Sequence, residues 1–438
     1  MADTKKIDLG GISVEDVEVD GREVILVSGA GDITLTSAKK GELAFTFGTG
    51  KNKATYVFEE HAVYNENKTS VSLIGSADDY SATKSARSKL VTINASQVDG
   101  AIAITGNTNA NVIIAGDEDS TLNGGKGNDT LYGGEGEDIF VYKKNQGNDL
   151  IRGYDEDNDR ISLDGAAVTD AAVGKNYSVV FTVGKEKLTV EDAAYQEVTF
   201  VSDDSVTVFK DGAFYSEDGT SVTVPASFNE KGEVDFDKTV ETIDAFSVKT
   251  AVNLAGNALG NSIVGSAKND TLSGYGGDDT LEGGKGNDSL DGGAGSDILT
   301  GGDGNDSIDG GRGDDILTGD KGNDKLWGGA GSDVLTGGKG SDSLWGDAGN
   351  DTFIYTPGDG NDVIFGFDDG DTLQIEDADF SKATVSKNGE VVKLKIGAGS
   401  VTFKDIDATT FHINDAEYQL TEVTNKKGKV TGYAFTEI

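Results

Sequence analysis

A nine-residue repeat occupies much of the second half of the chain and limits the folds open to it. From Gly256 to Ile354 the chain divides into eleven consecutive blocks of nine residues without a gap. The central blocks read GGKGNDSLD (283–291), GGAGSDILT (292–300) and GGDGNDSID (301–309). A shorter array of four blocks runs from Gly106 to Val141. A fixed period of this kind is typical of a solenoid, in which each repeat stacks on its neighbours.

Two positions of the block predict how it folds. Position eight of the long array is always apolar, from Ile263 to Phe353, and position six is aspartate in ten of the eleven blocks. Nine residues suit a six-residue turn followed by a three-residue strand, so two blocks make one right-handed turn with parallel strands about 4.8 Å apart. Alternation along the strand places position eight in the core and positions seven and nine outside. The sequence therefore predicts an all-β fold of two parallel β-rolls with 18 residues per turn.

The loops of these turns predict a cation site. Carboxylates stacked on adjacent turns lie about 5 Å apart and repel one another strongly where water screens them poorly. Ca²⁺ resolves this repulsion because it takes six to eight oxygen ligands in flexible geometry, whereas Mg²⁺ demands a tighter octahedron. The candidate carboxylates are Asp129, Asp138, Asp270, Asp279, Asp288, Asp297, Asp306, Asp315, Asp324, Asp333, Asp342 and Asp351. The candidate backbone ligands are Gly283, Gly286, Gly292, Gly295, Gly301, Gly304, Gly310, Gly313, Gly328, Gly331, Gly337 and Gly340.

These blocks resemble the RTX, or hemolysin-type, calcium-binding nonapeptide GGxGxDxUx. The resemblance covers the two arrays, about a third of the chain. It implies a β-roll in which consecutive loops on one side hold Ca²⁺ between carbonyl oxygens and aspartate side chains. It also implies a bacterial protein that is exported unfolded through a type I channel, by means of an uncleaved C-terminal signal. The alternative interpretation is a solvated Gly/Asp linker or a solenoid without metal.

Departures from the pattern predict an uneven distribution of sites. Position six is Asn261 in the first block of the long array, and Asn111 and Ser120 in the first two blocks of the short one. A site shared by two successive turns needs both aspartates, which gives about eight pairs in the long array and no complete pair in the short array. We therefore predict about eight Ca²⁺ in the long roll and few or weak sites in the short roll.

Wider spacing shows that a larger module is duplicated. Ile93 and Gly106 recur 150 residues later as Ile243 and Gly256, and beyond the rolls the offset becomes 213 because the second copy has seven more blocks. The N-terminus matches the C-terminal flank at an offset of 368, so the chain begins partway into a module. The aromatic side chains after the long array, Phe353, Tyr355, Phe365 and Phe367, are predicted to cover the open end of its core. The predicted parts are a β flanking unit (1–90), a short roll with cap (91–163), a β flanking unit (164–240), a long roll with cap (241–375) and a C-terminal β flanking unit that could carry a secretion signal (376–438).

The outward faces of the long roll differ in chemistry. One face carries β-branched pairs such as Ile298/Thr300 and Ile316/Thr318, and the other carries Trp327 and Trp345, which are 18 residues apart and should stack on adjacent turns. Contiguous exposed apolar patches often mark an interaction. The faces are therefore candidates for self-association or for a surface partner, with an ordinary sheet surface as the alternative.

Composition excludes several functions. There are 37 basic and 77 acidic residues, for a net charge of −40, which disfavours nucleic acids and anionic lipid. No apolar run reaches the roughly 18–20 residues of a membrane span, and residues 1–20 lack the apolar run of a signal peptide. Cysteine is absent, and the two histidines, His61 and His412, are far apart. Neither an HExxH nor a GxSxG motif is present, so we predict no enzyme and no catalytic residues.

Two classes of function remain. The first is a secreted or cell-surface structural or adhesive protein whose rolls fold in extracellular calcium. The second is a non-catalytic targeting and folding segment of a larger toxin or hydrolase. A third and weaker interpretation takes the threonine ladder as an ice- or glycan-binding face. In each of them position-six substitutions such as Asp306→Ala should weaken calcium-linked folding, whereas Asp204→Ala, outside the repeats, should not.

Overall fold

The computed structural model describes residues 89–438 except 203–204, 229–233, 237, 377–382 and 407, and the backbone of the strands within 1–88. The secondary structure of this part of the chain is β-strand, apart from one short 3-10 helix, Ala193–Tyr195. Two compact units are present, Met1–Gly212 and Ala213–Ile438. Over the described residues no helix is long and apolar enough to cross a membrane. The five-part division made from the sequence stays a prediction.

The first unit contains a short parallel roll with antiparallel strands at both ends. Its strands are β1 (Lys5–Asp8), β2 (Val14–Asp20), β3 (Glu23–Ser28), β4 (Ile33–Thr36), β5 (Leu43–Phe47), β6 (Ala54–Glu59), β7 (Ala62–Asn65), β8 (Ser70–Ser76), β9 (Lys84–Ser85), β10 (Thr92–Asp99), β11 (Ile102–Thr105), β12 (Val112–Ile114), β13 (Ser120–Asn123), β14 (Thr130–Tyr132), β15 (Ile139–Val141), β16 (Asp149–Arg152), β17 (Arg160–Ser162), β18 (Val168–Val173), β19 (Val179–Val183), β20 (Glu186–Val190), β21 (Val198–Val201) and β22 (Val206–Lys210).

Alternate strands of the first unit build two parallel sheets. One follows the order β8, β10, β12, β14, β16 and β20, and the other follows β9, β11, β13, β15, β17 and β21. Antiparallel strands continue from both ends, with β5 to β8 before the roll and with β18 to β20, β21 and β22 after it. We call the parallel part, β9 to β17, the short roll.

The second unit contains the longer roll. Its strands are β23 (Ala213–Ser216), β24 (Ser221–Thr223), β25 (Val234–Asp235), β26 (Thr242–Asp244), β27 (Asn253–Ala255), β28 (Ser262–Val264), β29 (Thr271–Gly276), β30 (Thr280–Lys285), β31 (Ser289–Ala294), β32 (Ile298–Asp303), β33 (Ser307–Arg312), β34 (Ile316–Gly322), β35 (Lys325–Ala330), β36 (Val334–Thr336), β37 (Lys339–Gly340), β38 (Ser343–Ala348), β39 (Thr352–Tyr355), β40 (Asn361–Phe365), β41 (Thr372–Ile375), β42 (Thr384–Asn388), β43 (Val391–Ile396), β44 (Gly399–Lys404), β45 (Phe411–Ile413), β46 (Ala416–Thr424) and β47 (Val430–Glu437).

Successive turns of the second unit pair in parallel with a register of 18 residues. Leu299 lies opposite Leu317 in one sheet, and Leu290 lies opposite Ile308 in the other. These two sheets, from β24 to β41, form the long roll. After it, β43 pairs antiparallel with β42 and β44, and β46 pairs antiparallel with β45 and β47. The predicted all-β class, with parallel rolls of 18 residues per turn, is confirmed.

The strands of the long roll are longer than the predicted three residues. Thr280–Lys285 and Ile298–Asp303 each run from position seven of one block to position three of the next. The strand continues because positions two and three also pair between turns, as Gly284 does with Gly302. The loop that remains is positions four to six, and it presents the aspartate.

Position-eight side chains fill the core, as predicted. Leu281, Leu299 and Leu317 of one sheet and Leu290 and Ile308 of the other are at most 1% exposed. The pattern of alternating burial in each strand, with positions seven and nine outside, follows from the pleat.

Aromatic side chains pack at the C-terminal end of the long roll. Phe367 lies 5.9 Å from Phe353, 5.1 Å from Phe403 and 5.7 Å from Phe411, measured between ring centroids. Phe353 and Phe367 therefore cover the core, as predicted. Phe365 does not, because its neighbours in strand β40 point inward and its own ring faces outward.

Candidate metal centre

The aspartates at position six form two continuous ladders along the long roll. The main-chain N–H of each one donates to Oδ1 of the aspartate one turn later, as from Asp306 to Asp324 at 2.8 Å and from Asp297 to Asp315 at 2.8 Å. These side chains are buried in the stack of loops. One ladder holds Asp270, Asp288, Asp306, Asp324, Asp342 and Asp362, and the other holds Asp279, Asp297, Asp315, Asp333, Asp351 and Asp371.

The second carboxylate oxygen of most of these aspartates has no partner. It is buried and without a hydrogen bond in ten of them, namely Oδ2 of Asp129, Asp279, Asp288, Asp297, Asp306, Asp315, Asp324, Asp333, Asp342 and Asp351. A buried carboxylate oxygen that loses water and gains no partner is costly. A repeated orphan oxygen of this kind therefore marks a place where a cation belongs.

Glycine at position one lets the carboxylate come this close to the backbone. A methyl group on Gly283 would lie 2.7 Å from Oδ2 of Asp288 and 2.8 Å from the carbonyl oxygen of Gly301. Both oxygens therefore approach the same side of Gly283, and any side chain at that position would displace them. The same arrangement recurs at Gly310, with Asp315 and the carbonyl of Gly328.

Glycine at position four brings another carbonyl oxygen into the loop. Gly304 has φ +159°, and the carbonyl oxygen of Gly286 on the previous turn would clash with a methyl group there. Oδ1 of Asp306 lies 3.2 Å from the same point. The structure thus brings together the three groups singled out from the sequence, namely the carboxylate and the glycine carbonyls at positions one and four.

Burial raises the pKa of these carboxyls. The pKa of Asp279, Asp324 and Asp333 rises to about 7, mainly because burial removes water from the charged form. Hydrogen bonds from the preceding turn lower the pKa in part, and the aspartates one turn away raise it further. The charged form of the ladder is thus unfavourable until a positive charge compensates it.

Some position-six side chains are satisfied by their own loop. Oδ2 of Asp270 accepts the N–H of Ser266 at 2.6 Å, and Oδ2 of Asp138 accepts the N–H of Gly134 at 2.7 Å. These loops have closed around the carboxylate. Asp129, whose Oδ2 is an orphan, therefore remains the position-six aspartate of the short roll with an oxygen to offer.

Asparagine at position six starts each ladder. Asn111 Nδ2 donates to the carbonyl of Leu90 at 2.9 Å, and Asn261 Nδ2 donates to the carbonyl of Val240 at 2.8 Å. An aspartate has no hydrogen atom for this bond at neutral pH. These two departures from the repeat therefore fix the first turn of each roll.

Four aspartates of the ladders were missed by counting in nines. Asp129 donates its N–H to Asp149, Asp138 to Asp159, Asp342 to Asp362 and Asp351 to Asp371. They lie 20 or 21 residues after their partners because the last turn of each roll is longer. The signal was available, since the acidic residue at 149, 159, 362 and 371 precedes an apolar residue by two positions, as in the repeat. The short array therefore contains acid pairs that the spacing rule did not predict.

No three His, Asp or Glu side chains cluster as a metal site in the described parts of the chain. Each loop supplies one carboxylate, so a ligand set must draw on two turns and on backbone carbonyls. Carboxylate and carbonyl oxygens in flexible loops are the donor set that Ca²⁺ takes. The residues present therefore fit calcium.

Comparison with known proteins agrees with this donor set. A model of the RTX calcium-binding nonapeptide repeat matches residues 105–140, 256–290, 291–326 and 327–355. The chain carries RTX calcium-binding repeats. These four stretches coincide with the short and long rolls, so both are RTX rolls.

Structural likeness adds little beyond the RTX match. The crystal structure of extracellular lipase LipA from Serratia marcescens is 19% identical over 68% of this chain and 38% of that one, with a TM-score of 0.20. The chain therefore spans well under half the length of that lipase. No curated protein sequence matches the chain.

An aromatic ladder lies on one outward face of the long RTX roll. Trp327 stacks on Trp345 at 4.8 Å and 8°, as predicted, and Trp345 stacks on Phe365 at 4.6 Å and 6°. Lys404 Nζ lies 5.2 Å from the centre of the Phe365 ring. The rings cover one another, so the ladder is stabilised within the chain and presents ring edges to the outside.

The opposite face presents the predicted β-branched ladder. Thr300, Thr318 and Thr336 lie in register on successive turns, beside Ile298 and Ile316, which are 46% and 45% exposed. A contact on this face is still a prediction.

The remaining sequence-derived candidates lie elsewhere. His412 occupies strand β45 opposite Glu417 and belongs to no cluster of titratable groups that suggests catalysis. His61 and Asp204 lie outside the described residues.

Proposed function

We propose that this RTX protein is a non-catalytic extracellular scaffold whose long roll folds when it binds calcium. The observation that carries the proposal is the row of buried, partnerless Oδ2 atoms in the long roll, repeated once per turn on each side. A scaffold that was meant to stand without metal would fill these positions with a donor, as Asn261 does at the start of the roll.

Opposing free energies make the long roll dependent on calcium. Glycine-rich loops lose more backbone entropy on folding than other sequences. The folded loops also bury a row of carboxylates whose charged form is disfavoured. Leucine and isoleucine burial in the core opposes these costs. A ligand that binds only the folded roll then shifts the equilibrium by mass action.

Each group of the loop has a defined part in this scheme. Bound Ca²⁺ supplies positive charge to carboxylates that have no other compensation. Oδ1 of Asp324 holds the N–H of Asp306 and so fixes the spacing of two turns, which leaves Oδ2 for the cation. The glycine carbonyls at positions one and four complete the oxygen set.

The orphan oxygens rank the sites. Pairs in which both aspartates have a free Oδ2 should bind most tightly, and there are seven such pairs in the long roll: 279/297, 297/315, 315/333, 333/351, 288/306, 306/324 and 324/342. The pair of Asp270 and Asp288 should be weaker because Ser266 already occupies Asp270. The short roll should bind little calcium, since Asp138 is satisfied by Gly134.

An extracellular location follows from this dependence. Submicromolar cytosolic calcium would leave the long roll unfolded, and millimolar calcium outside the cell would fold it. A chain that is unfolded before export suits the type I route implied by the RTX repeats, and the absence of cysteine agrees with a fold that needs no disulfides.

A targeting and folding segment of a larger secreted protein is the second candidate. The N-terminus repeats the C-terminal flank from partway into a module, which favours this alternative. An antibody raised against the chain distinguishes the two candidates. A secreted species near 45.5 kDa supports the scaffold, and a much larger species supports the segment.

Limited trypsin digestion tests the calcium-dependent fold. The long roll contains the cleavage sites Lys268, Lys285, Arg312, Lys321, Lys325 and Lys339. We expect rapid cleavage at these sites in chelator and protection in millimolar calcium, with millimolar magnesium as the control. The same digestion pattern in chelator and in calcium would overturn the proposal.

A further inference from the structure

One edge of the long roll carries a row of alternating charges. Position three of every second block places one charged residue on each turn, and we call this row the charged edge: Lys285, Asp303, Lys321, Lys339 and Asp359. The backbone register is continuous, with Lys285 opposite Asp303, Asp303 opposite Lys321, and Lys321 opposite Lys339. The bridge between Gly340 and Gly360 continues the row to Asp359.

The charged edge borders an open groove of about 700 Å³. Glycines at position two, Gly284, Gly302 and Gly338, line the groove beside the charged side chains. The absence of side chains at these glycines leaves room for another surface to approach. The matching positions on the other edge are Ala294, Arg312, Ala330 and Ala348, so the charge pattern belongs to one edge.

The charges are only partly compensated within the chain. Lys321 forms an ion pair with Asp303, and this contact, together with the charge of Lys285, lowers the pKa of Asp303. Lys339 lies next to Lys321, a like charge, and forms no ion pair within the described residues. The end of the row at Lys339 and Asp359 therefore has charge to offer to a partner.

The order of signs along the edge is complementary to itself when reversed. From Lys285 to Asp359 the signs are plus, minus, plus, plus, minus. A second copy that runs in the opposite direction places its Asp359 against Lys285 and its Lys339 against Asp303. We propose that two copies of the chain associate through their charged edges, antiparallel, about a two-fold axis at Lys321.

The centre of the row also fits a two-fold axis. Lys321 of one copy would meet Lys321 of the other, which is unfavourable unless an acid lies beside it. Asp320 supplies that acid, because it occupies position two of the same turn, where the neighbouring turns have Gly302 and Gly338, and it lines the groove. Each Lys321 would therefore face the Asp320 of the second copy.

The geometry sets the strength of this association. Four steps of about 4.8 Å give a row roughly 19 Å long, which is smaller than a standard protein interface. Exposed ion pairs are individually weak and are screened by salt. The dimer should therefore be weak, should form at low ionic strength and should require the folded, calcium-loaded roll.

Sedimentation velocity of the full chain in millimolar calcium tests the proposal. We expect concentration-dependent dimers at about 50 mM salt and monomers at about 500 mM. Lys285→Asp should weaken association about tenfold, because it turns two symmetric attractions into repulsions. The double variant Lys285→Asp with Asp359→Lys should restore the dimer, since it reverses both signs of the pair.

Arg312→Asp is the matched control because it makes the same change of charge at position three of the other edge. It should leave association unchanged, and circular dichroism should show that every variant folds in calcium. A monomeric wild-type chain at low salt would overturn the proposal and leave the edge to another partner. Equal effects of Lys285→Asp and Arg312→Asp, or failure of the double variant to restore association, would also overturn it.

Discussion

The main-chain N–H of Asp306 donates a 2.8 Å hydrogen bond to Oδ1 of Asp324, one turn further along the long roll. This bond occupies one carboxylate oxygen and leaves Oδ2 of Asp324 buried without a partner. The aspartate thus has two functions that different substitutions separate. One oxygen sets the spacing of the backbone, and the other is available to a cation.

Asp324→Asn and Asp324→Ala should differ for this reason. Asparagine removes the charge and keeps an oxygen for the N–H of Asp306, whereas alanine removes both. We expect both variants to raise the calcium concentration at the folding midpoint, by about tenfold or more, with alanine the more harmful by about 1 kcal/mol. A calcium titration followed by tryptophan fluorescence measures the midpoint.

The control for this pair is Asp291→Asn, because Asp291 lies in the same roll at position nine, on the outward face. Its midpoint should match that of the wild type. Equal midpoints for Asp324→Asn and Asp291→Asn would contradict the assignment of the ligands, and the same comparison applies to Asp306.

Protons should partly replace calcium in the long roll. The pKa of Asp279, Asp324 and Asp333 is about 7 in the folded roll, against 3.8 ordinarily. A raised pKa means that the folded state binds more protons, so this contribution to stability is present at low pH and is lost as the pH rises through about 7. In chelator, the β signal in far-UV circular dichroism should therefore increase from about pH 8 to about pH 5.5.

The same pH scan in saturating calcium is the control for the proton effect. There the signal should stay constant or fall, because protons compete with calcium for the carboxylates. A chelated chain that loses β signal on acidification would contradict the burial of these groups.

Asn261→Asp should destabilise the start of the long roll although it restores the repeat consensus. The substitution removes the 2.8 Å hydrogen bond from Nδ2 to the carbonyl of Val240 and places two oxygens face to face. We expect a loss of about 1–3 kcal/mol in thermal unfolding in calcium. Asn269→Asp makes the same chemical change at an exposed position five of the next block and should be nearly neutral. A more stable Asn261→Asp variant with extra bound calcium would contradict this explanation.

Trp345 should contribute more to stability than Trp327. Trp345 stacks on both Trp327 and Phe365, whereas in this ladder Trp327 has one ring partner. Each stacked pair contributes about 0.5–1.5 kcal/mol beyond burial, so Trp345→Ala should lower the free energy of unfolding by about one pair more than Trp327→Ala. Chemical denaturation in calcium measures the difference, and calcium affinity should be unchanged in both. Equal losses would show that the stack does not act as a continuous ladder.

The sequence predicted the rolls because their determinants are local and periodic. An apolar residue at every eighth position and a glycine wherever the carboxylate touches the backbone leave few alternatives, and the stacking of Trp327 on Trp345 follows from their 18-residue spacing. The longer strands were not predicted, because position-two glycines such as Gly284 and Gly302 look like loop residues until their pairing is known.

The limits of the candidate site were also hidden from the sequence. Whether Oδ2 is free depends on the shape of its loop, so Asp270 and Asp288 look alike in the repeat although Ser266 satisfies only the first. Asp362 and Asp371 fall outside the nine-residue phase and were found only through their hydrogen bonds to Asp342 and Asp351.

Far-UV circular dichroism of the whole chain, titrated with calcium from a chelator, tests the central claim most directly. The account predicts a cooperative gain of β signal with calcium that magnesium does not reproduce. A spectrum that is already fully folded in chelator at neutral pH would contradict it, because the buried carboxylates of the long roll would then need no cation.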